Sequence, residues 1–147
     1  MSGPPIGGFV GLEHRFPVRV YYEDTDFSGF VYHANYLKFF ERGRSEALHA
    51  AGVSHRDLLS AEPPLAMVVR HMDIDFIAPA RVEEDLIVLS RFEALKGARI
   101  FARQRLERGG VTLATARLEV VLISLDGRPR RLPGELVDKL GPWLDPS

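Results

Sequence analysis

Hydrophobic and polar residues alternate in four separate runs along the second half of the chain. The runs cover residues 65–77, 85–95, 98–107 and 111–125, and glycine-containing turn pairs follow the last three: Lys96-Gly97, Gly109-Gly110 and Asp126-Gly127. Alternation with a period of two predicts strands that bury one face. The apolar set of residues 111–125 shifts by one position midway, which predicts a β-bulge in the last strand.

The first half of the chain predicts one strand and one long helix. Residues 17–23 alternate like a strand, whereas residues 34–51 carry apolar side chains at helical spacing, and Gly52 follows as a helix stop. Residues 54–64 are polar and predict a connection, and 134–140 predict a short helix. One strand, a long helix and then a four-strand antiparallel meander give an α+β fold with a central helix.

Composition bounds the class of protein. The chain has 147 residues, a net charge of -1 and no cysteine. We therefore expect no bulk attraction to nucleic acid, no disulfide and no thiol chemistry. The N-terminus lacks a secretory pattern, and no apolar run approaches the roughly 20 residues of a membrane span, so a cytoplasmic protein is predicted. Residues 1–14, rich in Gly and Pro, predict a flexible arm before a single domain at 15–147.

One segment combines a carboxylate with a helix start. A strand-like run ends in an acidic turn that contains Asp26, Gly29 follows, and a helix opens directly after His33. This order places the Asp26 carboxylate close to backbone N–H groups that bind anions. A carboxylate beside such a site is suited to attacking an acyl carbon and holding the oxyanion that forms.

The same segment resembles a known family. The spacing Asp26-x-x-Gly29, followed by Val31-Tyr32-His33 and Asn35-Tyr36, resembles the motif of the 4-hydroxybenzoyl-CoA thioesterase family of hotdog folds. It is most similar to the branch called Tol-Pal-associated acyl-CoA thioesterases. The phrase from Asp75 to Arg81 and the ending at Pro129–Pro133 are also typical of the family. The resemblance implies a hotdog fold, in which a five-stranded antiparallel sheet is wrapped around one long helix.

The resemblance also implies an activity. It indicates an acyl-CoA thioesterase that hydrolyses short-chain or aromatic, benzoyl-type acyl-CoA to free acid and CoA. Asp26 would act as nucleophile or general base, and the backbone N–H of His33 would lie in the oxyanion hole. No metal or organic cofactor is expected. Because the family places its active site between subunits, a homo-oligomer is expected, either a dimer or a dimer of dimers (a homotetramer).

Several further residues are predicted to bind substrate. Gly29, Tyr32 and Asn35 are expected around the acyl group, and Lys96 and Arg99 are expected to bind the CoA portion. Glu41, on the helix, is the second choice for the catalytic acid, because a different branch of these thioesterases uses a helix-borne Glu.

Three alternatives stay open at the level of sequence. One is a thioesterase that acts on acyl carrier protein, because that carrier presents the same phosphopantetheine arm as CoA. Another is a non-catalytic protein that binds acyl ligands or an envelope-associated partner. A hotdog dehydratase or isomerase is disfavoured, because such enzymes separate their His and acid by more than the short spacing from Asp26 to His33.

Overall fold

The computed structural model describes residues 7–146. Within them lie six strands: β1 (Gly8–Val10), β2 (Glu13–Arg19), β3 (Leu65–Phe76), β4 (Asp85–Lys96), β5 (Arg99–Arg108) and β6 (Val111–Ser124). The α-helices are α1 (His33–Ala50), α2 (His55–Leu59) and α3 (Gly134–Leu140), and 3-10 turns cover Tyr22–Asp24 and Gly141–Trp143. This is the α+β hotdog arrangement that the resemblance implied.

The sheet is antiparallel with the order β1-β2-β4-β5-β6-β3. Five strands were expected, and the sixth is the short β1. The predicted four-strand meander is wrong at β3, which pairs with β6 at the sheet edge rather than with β4. Tight glycine turns join β4 to β5 and β5 to β6. The longer link 77–84 instead carries the chain away from the edge, so that β4 pairs with β2.

Part of the segment that the sequence assigned to a flexible arm forms strand structure. Strand β1 pairs with β2, which itself begins at Glu13. The ring of Phe9 stacks on Trp143 with centroids 3.8 Å apart, and this contact holds the segment against the C-terminal region. Residues 1–6 of the predicted arm lie outside the described residues, and the domain division at residue 15 stays a prediction.

Helix α1 packs against the sheet at very close range. A Cβ atom built on Gly43 would lie 2.3 Å from Cγ1 of Val88, so only glycine fits at this contact. Around the first half of the helix is a buried cluster that includes Val20, Val31, Tyr36, Phe39, Phe40 and Ala80. This cluster supports the segment that carries Asp26. Among residues 7–146, no helix is both long enough and apolar enough to cross a membrane.

The predicted bulge in the last strand is present. Leu106 pairs with Ala114 and Glu107 pairs with Thr112, which leaves Leu113 as the extra residue of β6. Leu113 and Ala114 are both fully buried. The bulge therefore changes which residues of β6 face the helix.

Candidate active site

Asp26 opens a tight turn directly before α1, here called the Asp26 turn (residues 26–30). Its amide donates to the carbonyl of Phe30 (2.9 Å), and the amide of Gly29 donates to the carbonyl of Asp26 (3.2 Å). Gly29 has φ +84°, a left-handed conformation that glycine adopts without steric cost. The glycine therefore allows the chain to reverse before the helix.

The Asp26 carboxylate is held by one of its two oxygens. Oδ1 accepts hydrogen bonds from the hydroxyl (2.5 Å) and the amide (2.8 Å) of Ser28. Both bonds lower the pKa of Asp26 below its ordinary value, and the bond from the hydroxyl has the larger effect. Within residues 7–146, Oδ2 accepts no hydrogen bond, and the side chain is exposed. The group is thus ionised and oriented, with one oxygen open to a substrate or water.

The start of α1 offers donors close by. The helix begins at His33, and the side chain of the N-cap residue Tyr32 makes no capping hydrogen bond. The first amides of a helix have no acceptor within the helix, so they can bind an oxyanion. The loop before the helix is fixed because the amide of Tyr32 (3.1 Å) and Nδ2 of Asn35 (2.9 Å) both donate to the carbonyl of Asp24.

The side chain of His33, the second predicted catalytic residue, lies against the end of β3. The ring of His33 packs edge-on against Phe76, with centroids 4.9 Å apart. In the part of the chain that the structure describes, no hydrogen bond or ion pair joins His33 to Asp26. Glu41 lies about 12 Å along α1 from His33, given a rise of about 1.5 Å per residue. The predicted residues that lie on the turn or the first helical turn are Asp26, Gly29, Tyr32, His33 and Asn35.

Lys96 and Arg99 are at the other end of the sheet. The amide of Val82, just before β4, donates to the carbonyl of Gly29 (3.0 Å), so β4 begins beside the Asp26 turn. The strand has 12 residues, which span roughly 40 Å along its path. A single chain therefore does not bring these cations to Asp26. They border a cavity of about 570 Å³ lined by Arg70, Lys96, Gly97, Ala98, Arg99, Val121 and Pro129.

Two features of the site were missed from sequence. One is Ser28, although an Asp followed two residues later by Ser is a known signal of a side-chain-to-backbone turn. The other is the support segment (residues 78–84), which the Asp26 turn pairs with. Its residue Ala80 donates its amide to the buried hydroxyl of Tyr36 (3.0 Å), so α1 and the support segment are joined directly.

No group of three or more His, Cys, Asp or Glu residues among 7–146 has the arrangement of a metal site. The groups available for chemistry at this site are a carboxylate and backbone N–H donors. This combination suits acyl transfer to water, with the carboxylate reacting and the helix start stabilising the oxyanion.

Comparison with known proteins finds relatives over most of the chain. A sequence model described as Thioesterase superfamily matches residues 28–115, beginning just after Asp26. The acyl-CoA thioesterase YbgC of Haemophilus influenzae is 43% identical over 122 residues, which cover 82% of this chain and 89% of the relative. A 1,4-dihydroxy-2-naphthoyl-CoA hydrolase of Nostoc punctiforme is 26% identical, and the match covers 86% of this chain and 82% of that protein.

A solved structure is similar over the same region. The crystal structure of a probable thioesterase from Bartonella henselae superposes with a TM-score of 0.80 and 50% sequence identity, covering 82% of this chain and 99% of that one. The fold, the family match and these relatives lead to one conclusion: the chain belongs to the thioesterase superfamily.

Proposed function

We propose that the protein is an acyl-CoA thioesterase that hydrolyses its substrate to free acid and CoA, with Asp26 as the catalytic carboxylate. The observation that carries the proposal is the carboxylate itself: Ser28 holds Oδ1, Oδ2 is open, and the uncapped start of α1 follows directly. The name of the Haemophilus influenzae relative, which matches most of the chain, supports CoA as the carrier.

The reaction needs only these groups and water. As a nucleophile, Oδ2 of Asp26 attacks the thioester carbonyl, the CoA thiolate leaves, and water hydrolyses the mixed anhydride. As a general base, Oδ2 removes a proton from water while the water oxygen attacks the same carbonyl, and the tetrahedral intermediate then expels the CoA thiolate to leave the free acid. In both routes of this proposal the backbone N–H of His33 stabilises the oxyanion. One such donor contributes about 2.7–4 kcal/mol, whereas the helix macrodipole at an exposed end contributes about 0.3–1 kcal/mol.

The working unit in this proposal is a homo-oligomer. Strand β3 is the last strand of the sheet, so one long edge has no partner within residues 7–146. Large apolar side chains are exposed on and directly after it: Val68, Val69, Phe76 and Ile77. An unpaired apolar edge is a template for strand pairing between chains. We infer an antiparallel β3–β3 dimer, which can in turn pair as a tetramer.

Such a dimer explains the position of the predicted CoA ligands. Lys96 and Arg99 share a cavity with Arg70, in the middle of β3. Antiparallel pairing reverses the partner strand, so the cations of one subunit approach the end of the other subunit that carries Phe76 and His33. Arg99 is already paired with Glu119 (3.3 Å), so Lys96 is the stronger phosphate ligand of the two.

We propose that the acyl group is short or aromatic. Exposed aromatic rings of Phe27, Tyr32 and Phe76 lie on or next to the segments that carry the site. The Nostoc punctiforme relative is named for an aromatic acyl-CoA. Gly29 and Tyr32 contact the acyl group in this proposal, and Asn35 contributes by holding the loop. We also assign the chain to the Tol-Pal-associated branch, acting in the cytoplasm without a cofactor, as a single domain.

Thiol release from a panel of acyl-CoAs tests the proposal. Short, long and aromatic acyl-CoAs are compared with the same acyl groups on acyl carrier protein. Because the chain contains no cysteine, a thiol-reactive dye detects only the released carrier thiol. Faster turnover of a short or aromatic acyl-CoA supports the proposal. Faster turnover of the acyl carrier protein series moves the function to that carrier, and binding without turnover makes the protein an acyl-ligand-binding protein.

A further inference from the structure

The position of the Asp26 turn depends on the support segment. The amide of Val31, directly after the turn, donates to the carbonyl of Ala80 (2.9 Å). The amide of Val82 donates back to the carbonyl of Gly29 (3.0 Å). These bonds flank an isolated antiparallel bridge between Phe30 and Arg81, which joins the turn to the support segment. Any shift of the support segment therefore moves the Asp26 carboxylate relative to the helix start.

Glu84 and Arg108 fix the support segment. Oε1 of Glu84 accepts the amide of Arg81 (2.6 Å), which lies within the segment. Nη1 of Arg108, the last residue of β5, donates to Oε1 (2.9 Å) and Oε2 (3.1 Å) of Glu84 and to the carbonyl of Pro79 (3.2 Å). The ion pair thus ties both ends of the segment to the sheet.

The segment requires such external bonds because its own backbone is strained. Glu83 has φ 67°, a left-handed conformation that costs free energy for any residue with a Cβ atom. The conformation persists because the flanking groups are bonded: the amide of Glu83 donates to the carbonyl of Val20 (2.8 Å), and the amide of Val20 donates to the carbonyl of Glu84 (2.9 Å).

We propose that Glu84 and Arg108 are positioning residues for catalysis, which hold the Asp26 carboxylate at its working distance from the helix start. Neither residue lies in the Asp26 turn or in α1. They act through the support segment, and the inference rests on the proposed role of Asp26. A misplacement of about 1 Å caused far from the reacting atoms can cost on the order of 10²-fold in rate, so the effect belongs in kcat.

The same strand offers a matched control. Arg105 of β5 pairs with Glu13 of β2, and the two side chains are 39% and 23% exposed, compared with 37% and 24% for Arg108 and Glu84. Both pairs join β5 to another part of the chain at similar exposure, but within residues 7–146 no hydrogen bond or ion pair joins Glu13 to the support segment. Arg105 also pairs with Glu107 (2.6 Å), so loss of Glu13 should cost less stability than loss of Glu84, and only loss of Glu84 should affect catalysis.

The experiment compares Glu84→Gln with Glu13→Gln in the full chain. We expect a decrease in Tm for Glu84→Gln and a smaller one for Glu13→Gln, because Arg105 keeps its second partner Glu107, and kcat is compared at a temperature where both variants are folded. For Glu84→Gln, kcat should fall at least about tenfold with KM changed by less than about threefold, whereas Glu13→Gln should keep wild-type kcat. Arg108→Lys, which retains the charge, should recover part of the kcat that Arg108→Gln loses.

Hydrogen exchange gives a readout that does not depend on turnover. The amides of Val31 and Val82 should exchange faster in Glu84→Gln than in Glu13→Gln. Equal kcat for the two folded variants, or unchanged exchange at both amides, would overturn the positioning role. If Glu84→Gln does not fold, the comparison of Arg108→Lys with Arg108→Gln decides by the same criteria. A wild-type protein that hydrolyses no acyl-CoA refutes the proposed function instead. Hydrogen exchange then still reports whether the Glu84–Arg108 ion pair holds the support segment.

Discussion

The two ends of strand β4 differ in how firmly a single chain builds them. Beside its first residue, the Asp26 turn is held by backbone bonds to the support segment and, through Ala80, by the buried hydroxyl of Tyr36. At its other end, Lys96 is the exposed last residue of β4. The turn that follows it accepts two amides, that of Leu132 at the carbonyl of Gly97 and that of Leu122 at the carbonyl of Ala98 (both 2.9 Å). The difference suggests that one chain presets the reactive carboxylate, while a second chain delivers the cations for the leaving group.

The largest effect should come from separating the two chains. Val69→Lys places a charge on the open edge of β3, where Val69 is 42% exposed, and should convert the dimer to a monomer. In the proposed dimer each site takes its cations from the second chain, so kcat/KM of a monomer should fall at least about 10²-fold. Sedimentation measures the mass of the variant, and thiol release from acyl-CoA measures its kcat/KM.

The control for this variant is Val10→Lys, on the short strand at the opposite sheet edge, where Val10 is 64% exposed. It should leave both mass and activity unchanged. A monomeric Val69→Lys protein with wild-type kcat/KM would show that one chain holds the complete site.

Tyr36→Phe tests the anchoring at the Asp26 end. The substitution leaves the buried amide of Ala80 without its acceptor, which should lower the free energy of unfolding by about 1–3 kcal/mol. Urea unfolding measures the change. Tyr22→Phe removes a hydroxyl from a ring that is 77% exposed, and should change stability by less than about 0.5 kcal/mol. Equal stabilities for the two variants would remove the Tyr36 anchor from the account.

Lys96→Ala tests the other end. Loss of one phosphate contact should raise KM for acyl-CoA by about three- to tenfold and leave kcat unchanged. Arg99→Ala should have a smaller effect, because Arg99 is already paired with Glu119. An acyl-pantetheine thioester, which lacks the nucleotide phosphates, serves as the control substrate and should show no change. An equal rise in KM for both substrates would place Lys96 outside the phosphate site.

The smallest effect concerns pH. The hydroxyl of Ser28 lowers the pKa of Asp26, so the carboxylate stays ionised at pH values where an ordinary aspartate is already protonated. Activity should be lost as the pH falls through that lowered pKa. Ser28→Ala should raise the pKa and move the acid limb of kcat/KM to higher pH. Thr25→Ala, whose hydroxyl bonds to Tyr22 instead, should leave the limb in place. A shift of the same size in both variants would contradict this origin.

The sequence predicted the long helix and the four later strands closely, because each has a clear hydrophobic period and all but β3 have a glycine at or near their end. It also predicted the bulge at Leu113, since the apolar positions change phase there. It misplaced the strand before the long helix: β2 runs over Glu13–Arg19, whereas residues 17–23 were predicted. Residues 22–24 continue the alternation but form a 3-10 turn, in which the buried Asp24 accepts the amide of Tyr21 (2.9 Å).

The candidate site was predicted only as far as local spacing reaches. Asp26, Gly29 and His33 are close in sequence, so a turn followed by a helix brings them to one place. Glu84 and Arg108 are distant from the turn along the chain and reach it through a loop whose path depends on sheet topology. The pairing of β3 with β6 has the same cause, because alternation shows which residues form strands and not which strands become neighbours.

The most direct test of the central claim is the kcat/KM of Asp26→Asn, measured beside Glu23→Gln on the acyl-CoA that turns over fastest. Glu23 is an exposed acid in the same loop, so the pair separates the role of one carboxylate from that of local charge. The account predicts a loss of at least about 10²-fold for folded Asp26→Asn and wild-type activity for Glu23→Gln. Wild-type activity in Asp26→Asn would contradict it.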